Sequence, residues 1–185
     1  GNWYYSAFLN FKSQMDSGFD PTGSNRISHF FSPAYLQVGP GFLWKKSQNF
    51  HANFSPLTSK FTLITSEIYT INDDDETNVF YESSNDIETY GVAPGKKALY
   101  EFGFNFRGYY KFNLMKNISM ENILNLYSNY LNRPKNVDMD YTMNIVMKIN
   151  DVFSTNLTFQ TIYDDNAFEG FQIREVFGLG INYGF

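Results

Sequence analysis

The chain has 185 residues, enough for one domain over 1–185, and a formal charge of -5, which argues against nucleic acid as a partner. It has no cysteine, so disulfides, thiol catalysis and Cys-ligated zinc are excluded, and His29 and His51 are too few for a histidine-rich metal site. Aromatic residues make up 19% of the chain, with 20 Phe and 14 Tyr, yet mean hydropathy is -0.37, a combination that implies apolar and polar residues closely interleaved.

No run approaches the roughly 20 apolar residues that a transmembrane helix needs. Period-two alternation fills the sequence instead, and neighbouring side chains on a strand point to opposite faces. The first run sets Trp3, Tyr5, Ala7, Leu9 and Phe11 against Tyr4, Ser6, Asn10, Lys12 and Gln14. It begins at once, with no signal peptide in front, so further sequence is expected upstream. In the next run Ala34, Leu36, Val38, Phe42 and Trp44 alternate with Tyr35, Gln37, Gly39 and Lys45. Phe50, Ala52 and Phe54 then alternate with Asn49, His51, Asn53 and Ser55, and a second piece starts at Phe61. Pro33, Pro40 and Pro56 interrupt these runs and predict bulges or strand ends, because proline cannot donate to a ladder. If residues 49–69 form one bent strand, the count is eight. If residues 56–60 are a turn, it is nine, and upstream strands must exist.

The second half is more regular. Phe102, Phe104, Phe106, Tyr110, Phe112 and Leu114 alternate with Glu101, Gly103, Asn105, Arg107, Tyr109, Lys111 and Asn113. Ile118, Met120, Leu124 and Leu126 oppose Ser119, Glu121, Asn125 and Asn129. Val137 to Ile149 carries an unbroken apolar stripe opposite Asp138, Asp140, Thr142, Asn144 and Lys148. Phe153, Leu157, Phe159 and Tyr163 oppose Ser154, Asn156, Thr158, Gln160 and Asp164. Finally, Ile173, Phe177, Leu179, Ile181, Tyr183 and the terminal Phe185 share a face, interrupted by Glu175, against Gln172, Arg174 and three glycines. Glu175 is expected at a bulge or at a rim. Gly178 and Gly180 are read as allowing close packing, not as a nucleotide loop.

A soluble β-sandwich also alternates. Three features favour an all-β, antiparallel, transmembrane up-and-down β-barrel of about eight strands. First, charges recur on the polar face: Lys12, Glu101, Arg107, Lys111, Glu121, Asp140, Lys148 and Arg174 form the expected polar network of the lumen. Second, residues 45–48, 115–118 and 150–152 read as tight turns, whereas 16–28, 70–96, 132–136 and 164–170 read as longer polar connections. Outer-membrane barrels have short periplasmic turns and longer outside loops, which would place both termini in the periplasm. Third, Trp3, Trp44, Phe112, Phe153 and Phe185 fall near the short-turn end, and Tyr100, Tyr130, Tyr163 and Phe171 near the other, as membrane-interface girdles would.

The runs Ile27-Ser28-His29-Phe30-Phe31-Ser32-Pro33-Ala34-Tyr35-Leu36 and Val38-Gly39-Pro40-Gly41 carry a family resemblance, with Phe54-Ser55-Pro56-Leu57-Thr58-Ser59-Lys60, Tyr90-Gly91-Val92 and Ile162-Tyr163-Asp164-Asp165. In their order they resemble an uncharacterised family of Bacteroidetes outer-membrane barrels, a domain of unknown function, over most of the chain. The resemblance implies further strands before Trp3, and since the family has no established catalytic residues, it assigns none here. The closing Tyr183-Gly184-Phe185 also resembles the signal read by the barrel-insertion machinery.

Little enzymatic chemistry is expected. Ser28 and His29 adjoin in sequence and so face opposite ways, which makes a poor nucleophile–base couple. His51 lies on the polar phase near the short-turn end. The acidic run from Asn72 to Glu76 lacks the spacing and glycine of an EF-hand and reads as a solvated loop tip, as does Asp164-Asp165-Asn166. The inward charges read as a self-satisfied plug, since small barrels are filled by side chains and buried charges must pair. The expected function is a non-enzymatic structural or accessory outer-membrane component without cofactor or metal. Its partners would be lipid, the insertion machinery and other outer-membrane proteins. A narrow pore or uptake channel is the alternative, ahead of a barrel-embedded lipid enzyme or a soluble binding protein.

Overall fold

A computed structural model describes residues 1–19, 26–65, 70–71, 81–82, 90–164 and 168–181. Among these residues no helix forms and there are twelve strands: β1 (Trp3–Ser13), β2 (Gly18–Phe19), β3 (Arg26–Ser28), β4 (Ala34–Ser47), β5 (Phe50–Leu63), β6 (Thr70–Ile71), β7 (Tyr81–Glu82), β8 (Ala98–Met115), β9 (Ile118–Asn129), β10 (Val137–Lys148), β11 (Phe153–Asp164) and β12 (Phe168–Ile181). Eight of them make one antiparallel sheet in the order β1-β4-β5-β8-β9-β10-β11-β12. β2–β3 and β6–β7 are separate two-stranded ladders inside the two longest connections. β1 and β12 are the edges of the large sheet, which is not closed into a barrel.

The continuity of β5 decides between eight and nine strands: residues 56–60 belong to the strand and are not a turn. The phase nevertheless changes there. Ser55, Thr58 and Thr62 are all buried, so the step between the first two is three residues instead of the two that a regular strand requires. Pro56, with no N–H to lose, sits inside this step, and the Thr58 hydroxyl donates to the Ser55 carbonyl across it at 2.9 Å. One extra residue of this kind is the signature of a β-bulge.

Short connections alternate with long ones along the sheet. β4 runs on to Ser47, three residues into the expected 45–48 turn, and the hairpin turns at Gln48 and Asn49, where the Asn49 N–H donates to Ser47 Oγ at 3.1 Å. Between β10 and β11, Asn150 Oδ1 accepts from the N–H groups of Val152 at 2.9 Å and Phe153 at 2.7 Å, an Asx turn that closes the hairpin with a side chain. The expected long connection at 164–170 is corrected. β12 starts at Phe168, which pairs with Asp164, so the first residues of the strand lie inside that interval. A register shift between Tyr163 and Asp164 breaks the alternation there and hides the strand start from a period-two reading. The acidic run 72–76, the pair Asp165-Asn166 and Phe185 lie outside the described residues.

Contacts divide the chain into two compact units. One comprises Gly1–Ala7, Pro40–Thr58 and Gly103–Phe185, and the other Phe8–Gly39 and Ser59–Phe102. In the second unit Ser32, Ala34, Thr62, Ile64 and Val92 are buried. His29 and Ser32 exchange both backbone hydrogen bonds at 2.8 Å, and Phe31 between them takes the left-handed conformation at φ 57. Thr65 ties this tight loop down: its N–H donates to Ser32 Oγ at 2.8 Å and its hydroxyl to the Phe31 carbonyl at 3.1 Å.

In the first unit the register from β8 to β12 sorts side chains into cross-strand rows. Phe112, Met120, Ile145, Leu157 and Phe177 form one row of the apolar face, and Phe106, Leu126, Met139, Tyr163 and Phe171 another. Lys111, Glu121, Asn144 and Thr158 form a row of the polar face. Gly103 allows the close approach of β8 and β9. A Cβ there would collide with the Ser128 carbonyl oxygen, which is backbone and cannot swing away. Gly103→Ala is therefore expected to destabilise the sheet by about 1–3 kcal/mol through forced backbone displacement. A lowered midpoint in urea unfolding, relative to a control Gly95→Asn at an open positive-φ turn, checks it.

Candidate functional site

The polar face of the first unit carries a continuous run of side-chain hydrogen bonds across β8, β9, β10 and β11. Tyr109 donates its hydroxyl to Glu121 Oε2 at 2.8 Å, and Asn144 Nδ2 donates to Glu121 Oε1 at 3.4 Å. Thr158 donates in turn to Asn144 Oδ1 at 2.8 Å. One row further along, Gln160 Nε2 donates to Asp140 Oδ1 at 2.9 Å. His51 of β5 heads the run, stacked on the Tyr109 ring with centroids 4.6 Å apart and planes 19° apart. Its Nδ1 is buried and makes no hydrogen bond among the described residues. On the same strand, Asn53 accepts from the Ser6 hydroxyl and donates to Ser55 Oγ at 3.1 Å.

The predicted charges are therefore held in a different way from mutual pairing. Lys111 stands directly opposite Glu121 in the ladder, yet both carboxylate oxygens of Glu121 are taken by neutral donors. Among the described residues Lys12, Arg107, Lys111, Lys148 and Arg174 form no ion pair, and all five are exposed. Charge-neutral donors suit this face because a tyrosine or amide stabilises a carboxylate without the desolvation cost of a second ion.

Glu101 behaves differently. It is 2% exposed and lies 3.0 Å from Lys60 Nζ, itself 12% exposed, in the second unit. Lys60 was missed in the sequence because it ends the stretch 56–60, where a turn and a bent strand were both open. Its phase becomes legible only once the bulge at Pro56 carries the strand onward.

The apolar face carries the predicted aromatics as a ribbon. Trp3 and Trp44 approach to 6.3 Å, Trp44 meets Phe50 edge-on at 5.5 Å, Phe50 meets Tyr110 at 5.4 Å, and Tyr110 stacks on Phe112 at 4.9 Å. Four strands thus share one row of rings, with about 0.5–1.5 kcal/mol for each edge-to-face or offset pair beyond area burial. Phe153 lies at the start of β11, exposed on the same face. At the other end Tyr163 pairs with Phe171 at 5.2 Å and Tyr100 with Phe61 at 4.9 Å, the latter within the second unit.

His29 finds a serine that the sequence did not suggest. Its Nδ1 lies 2.7 Å from Ser17 Oγ, across the β2–β3 ladder, where Gly18 pairs with Ser28. Among the described residues no carboxylate orients this imidazole, so the pair lacks the third group that a nucleophile–base couple uses. No cluster of three potential metal ligands forms among the described residues.

Comparison with protein-family models, curated proteins and solved structures finds no match.

The buried Lys60–Glu101 pair gives a sharp stability test. Lys60→Met removes the ammonium from beside a buried carboxylate and is expected to cost about 3–5 kcal/mol, whereas Lys60→Met with Glu101→Leu removes both charges and recovers most of the loss. Chemical denaturation followed by tryptophan fluorescence reads both variants. Equal losses in the single and double variants would show that the pair contributes packing instead of charge compensation.

Proposed function

We propose that the chain is a membrane-spanning β-barrel of a bacterial outer membrane, serving as a non-enzymatic structural or accessory component. The observation that carries this reading is the sorting of the antiparallel strands into one polar face and one aromatic, apolar face that is half-buried in mid-sheet and most exposed along β12. On β12, Phe171, Ile173, Phe177, Leu179 and Ile181 are 63–77% exposed. A protein in water rarely leaves so long an apolar stripe uncovered, whereas lipid covers it at no cost.

Other features support the same reading. The strands of the large sheet have 11 to 18 residues, against about 9–11 needed to cross a bilayer at a tilt. Their number is even, so β1 and β12 run antiparallel to one another and can pair to close the sheet, as a backbone surrounded by hydrocarbon requires. The aromatic ribbon at the short-hairpin end suits a periplasmic interface, and the long connections suit the outside. The resemblance to an uncharacterised Bacteroidetes outer-membrane family points the same way. In this reading the polar face lines the lumen, and insertion machinery and lipid are the partners during assembly.

One observation favours a narrow pore as a second reading. The cations Arg107, Lys111, Lys148 and Arg174 are exposed and form no ion pair among the described residues, which suits a hydrated lumen better than a fully self-paired plug.

Two measurements test these readings. Purified in detergent, the folded protein is expected to migrate differently on a gel before and after boiling. A protein that is soluble without detergent and shows no heat-dependent shift defeats the membrane reading. In planar bilayers the structural component is expected to give no steady current, whereas discrete conductance steps that fall in Arg107→Glu would establish the pore.

A further inference from the structure

Within the paired rows of β8 to β12, Glu175 is the one charged residue on the apolar face. The bulge or rim position expected for it is not what the fold provides. The ladder between β11 and β12 runs without interruption from Phe153 opposite Ile181 to Tyr163 opposite Phe171, and Glu175 faces Phe159 in the middle of it. Its neighbours on the same face, Ile173 and Phe177, are each 64% exposed. Glu175 itself is exposed and makes no hydrogen bond or ion pair with any described residue.

If this face meets lipid, as the membrane-barrel reading holds, a carboxylate there is expensive unless something compensates it. Closure of the sheet does not. β1 would bring Trp3, Tyr5, Ala7, Leu9 and Phe11 to the outer side of β12, and none is cationic; the Tyr5 hydroxyl can satisfy one oxygen but leaves the charge. A second copy seated through β12 does not either: two copies of Glu175 brought together would repel, β1 and β8 to β12 offer no Lys or Arg on this face, and Lys46, on the outward phase of β4, stands at the end of its strand beside the short hairpin and not at the middle level of Glu175.

We propose that the outer face of β12 docks a different membrane-embedded protein, one that presents a Lys or Arg side chain to Glu175 from an otherwise apolar surface. Away from water the resulting charge-assisted hydrogen bond is strengthened, and the flanking Ile173 and Phe177 supply the apolar contact that keeps water out. A rim of apolar side chains around one desolvated pair is the arrangement of an interface hot spot. This proposal rests on the membrane-barrel reading.

A photo-crosslinking amino acid placed at Phe177 in the full chain, activated in intact host cells, tests it. The expected result is one defined adduct with a different protein, joined through a membrane-spanning segment that contains Lys or Arg. Its yield is expected to fall roughly tenfold in Glu175→Leu, as loss of a charge-assisted contact implies, and to return when Glu175→Lys is combined with the reverse charge in that segment. An adduct between two copies of this chain overturns the proposal, as does adduct formation with lipid alone that Glu175→Leu leaves unchanged. The underlying reading is checked separately. The chain has no cysteine, so Phe177→Cys carries a single fluorophore. In vesicles of pure phospholipid, quenching of that fluorophore by a mid-depth nitroxide lipid is expected, and its absence would remove the membrane premise itself, whatever the crosslinks show.

Discussion

Everything in this fold depends on keeping phase. A side chain's face is decided by whether its position is odd or even along the strand, and a slip of one residue would exchange the two faces along the whole length of a strand. From β8 to β12 the register is held over rows of up to five strands, with irregularities only between Asn113 and Met115 and between Tyr163 and Asp164, both at strand ends. The polar hydrogen-bond run, the aromatic ribbon and the isolation of Glu175 all follow from that order. Where the phase does change inside a long strand, at Pro56, a residue that has no N–H to lose occupies the step, and a threonine hydroxyl bridges it.

The two faces are stabilised by different physics. The apolar face uses shape and dispersion, with rings passing contacts from strand to strand. On the polar face of the first unit two carboxylates are held without an ionic partner. Glu121 and Asp140 take neutral donors, and the cations stay in solvent. In the second unit a carboxylate, Glu101, is buried against the ammonium of Lys60, with Ser32, Thr62 and other small residues packed into the same unit.

Much of this was legible in the amino-acid order, because alternation is a local signal and a strand reports it directly. The faces of Arg107, Lys111, Glu121, Asp140 and Lys148 could be assigned by counting. Partner choice could not. Counting back from the turn would set Lys111 opposite Asn122; the register shift between Asn113 and Met115 sets it opposite Glu121 instead, and whether Lys111, Tyr109 or Asn144 satisfies the carboxylate depends on side-chain reach and solvation. The pairing of Glu101 with Lys60 was hidden by the phase change at Pro56, since no period-two pattern survives an inserted residue. β2–β3 and β6–β7 are two or three residues long and carry no periodicity to read. Glu175 was visible as an off-phase residue, and the natural inference of a bulge failed because the ladder tolerates a charge without distorting.

The direction of the hydrogen bonds on the polar face has a further consequence. Tyr109 donates toward Glu121 from one side, and Asn144, itself receiving from Thr158, donates toward it from the other. A proton wire needs donors that all point the same way, so that each group can hand on what it receives. Here both halves converge, and an amide forms one of the links. The run therefore cannot pass protons across the sheet. It gathers polarisation onto one carboxylate and holds that charge in place.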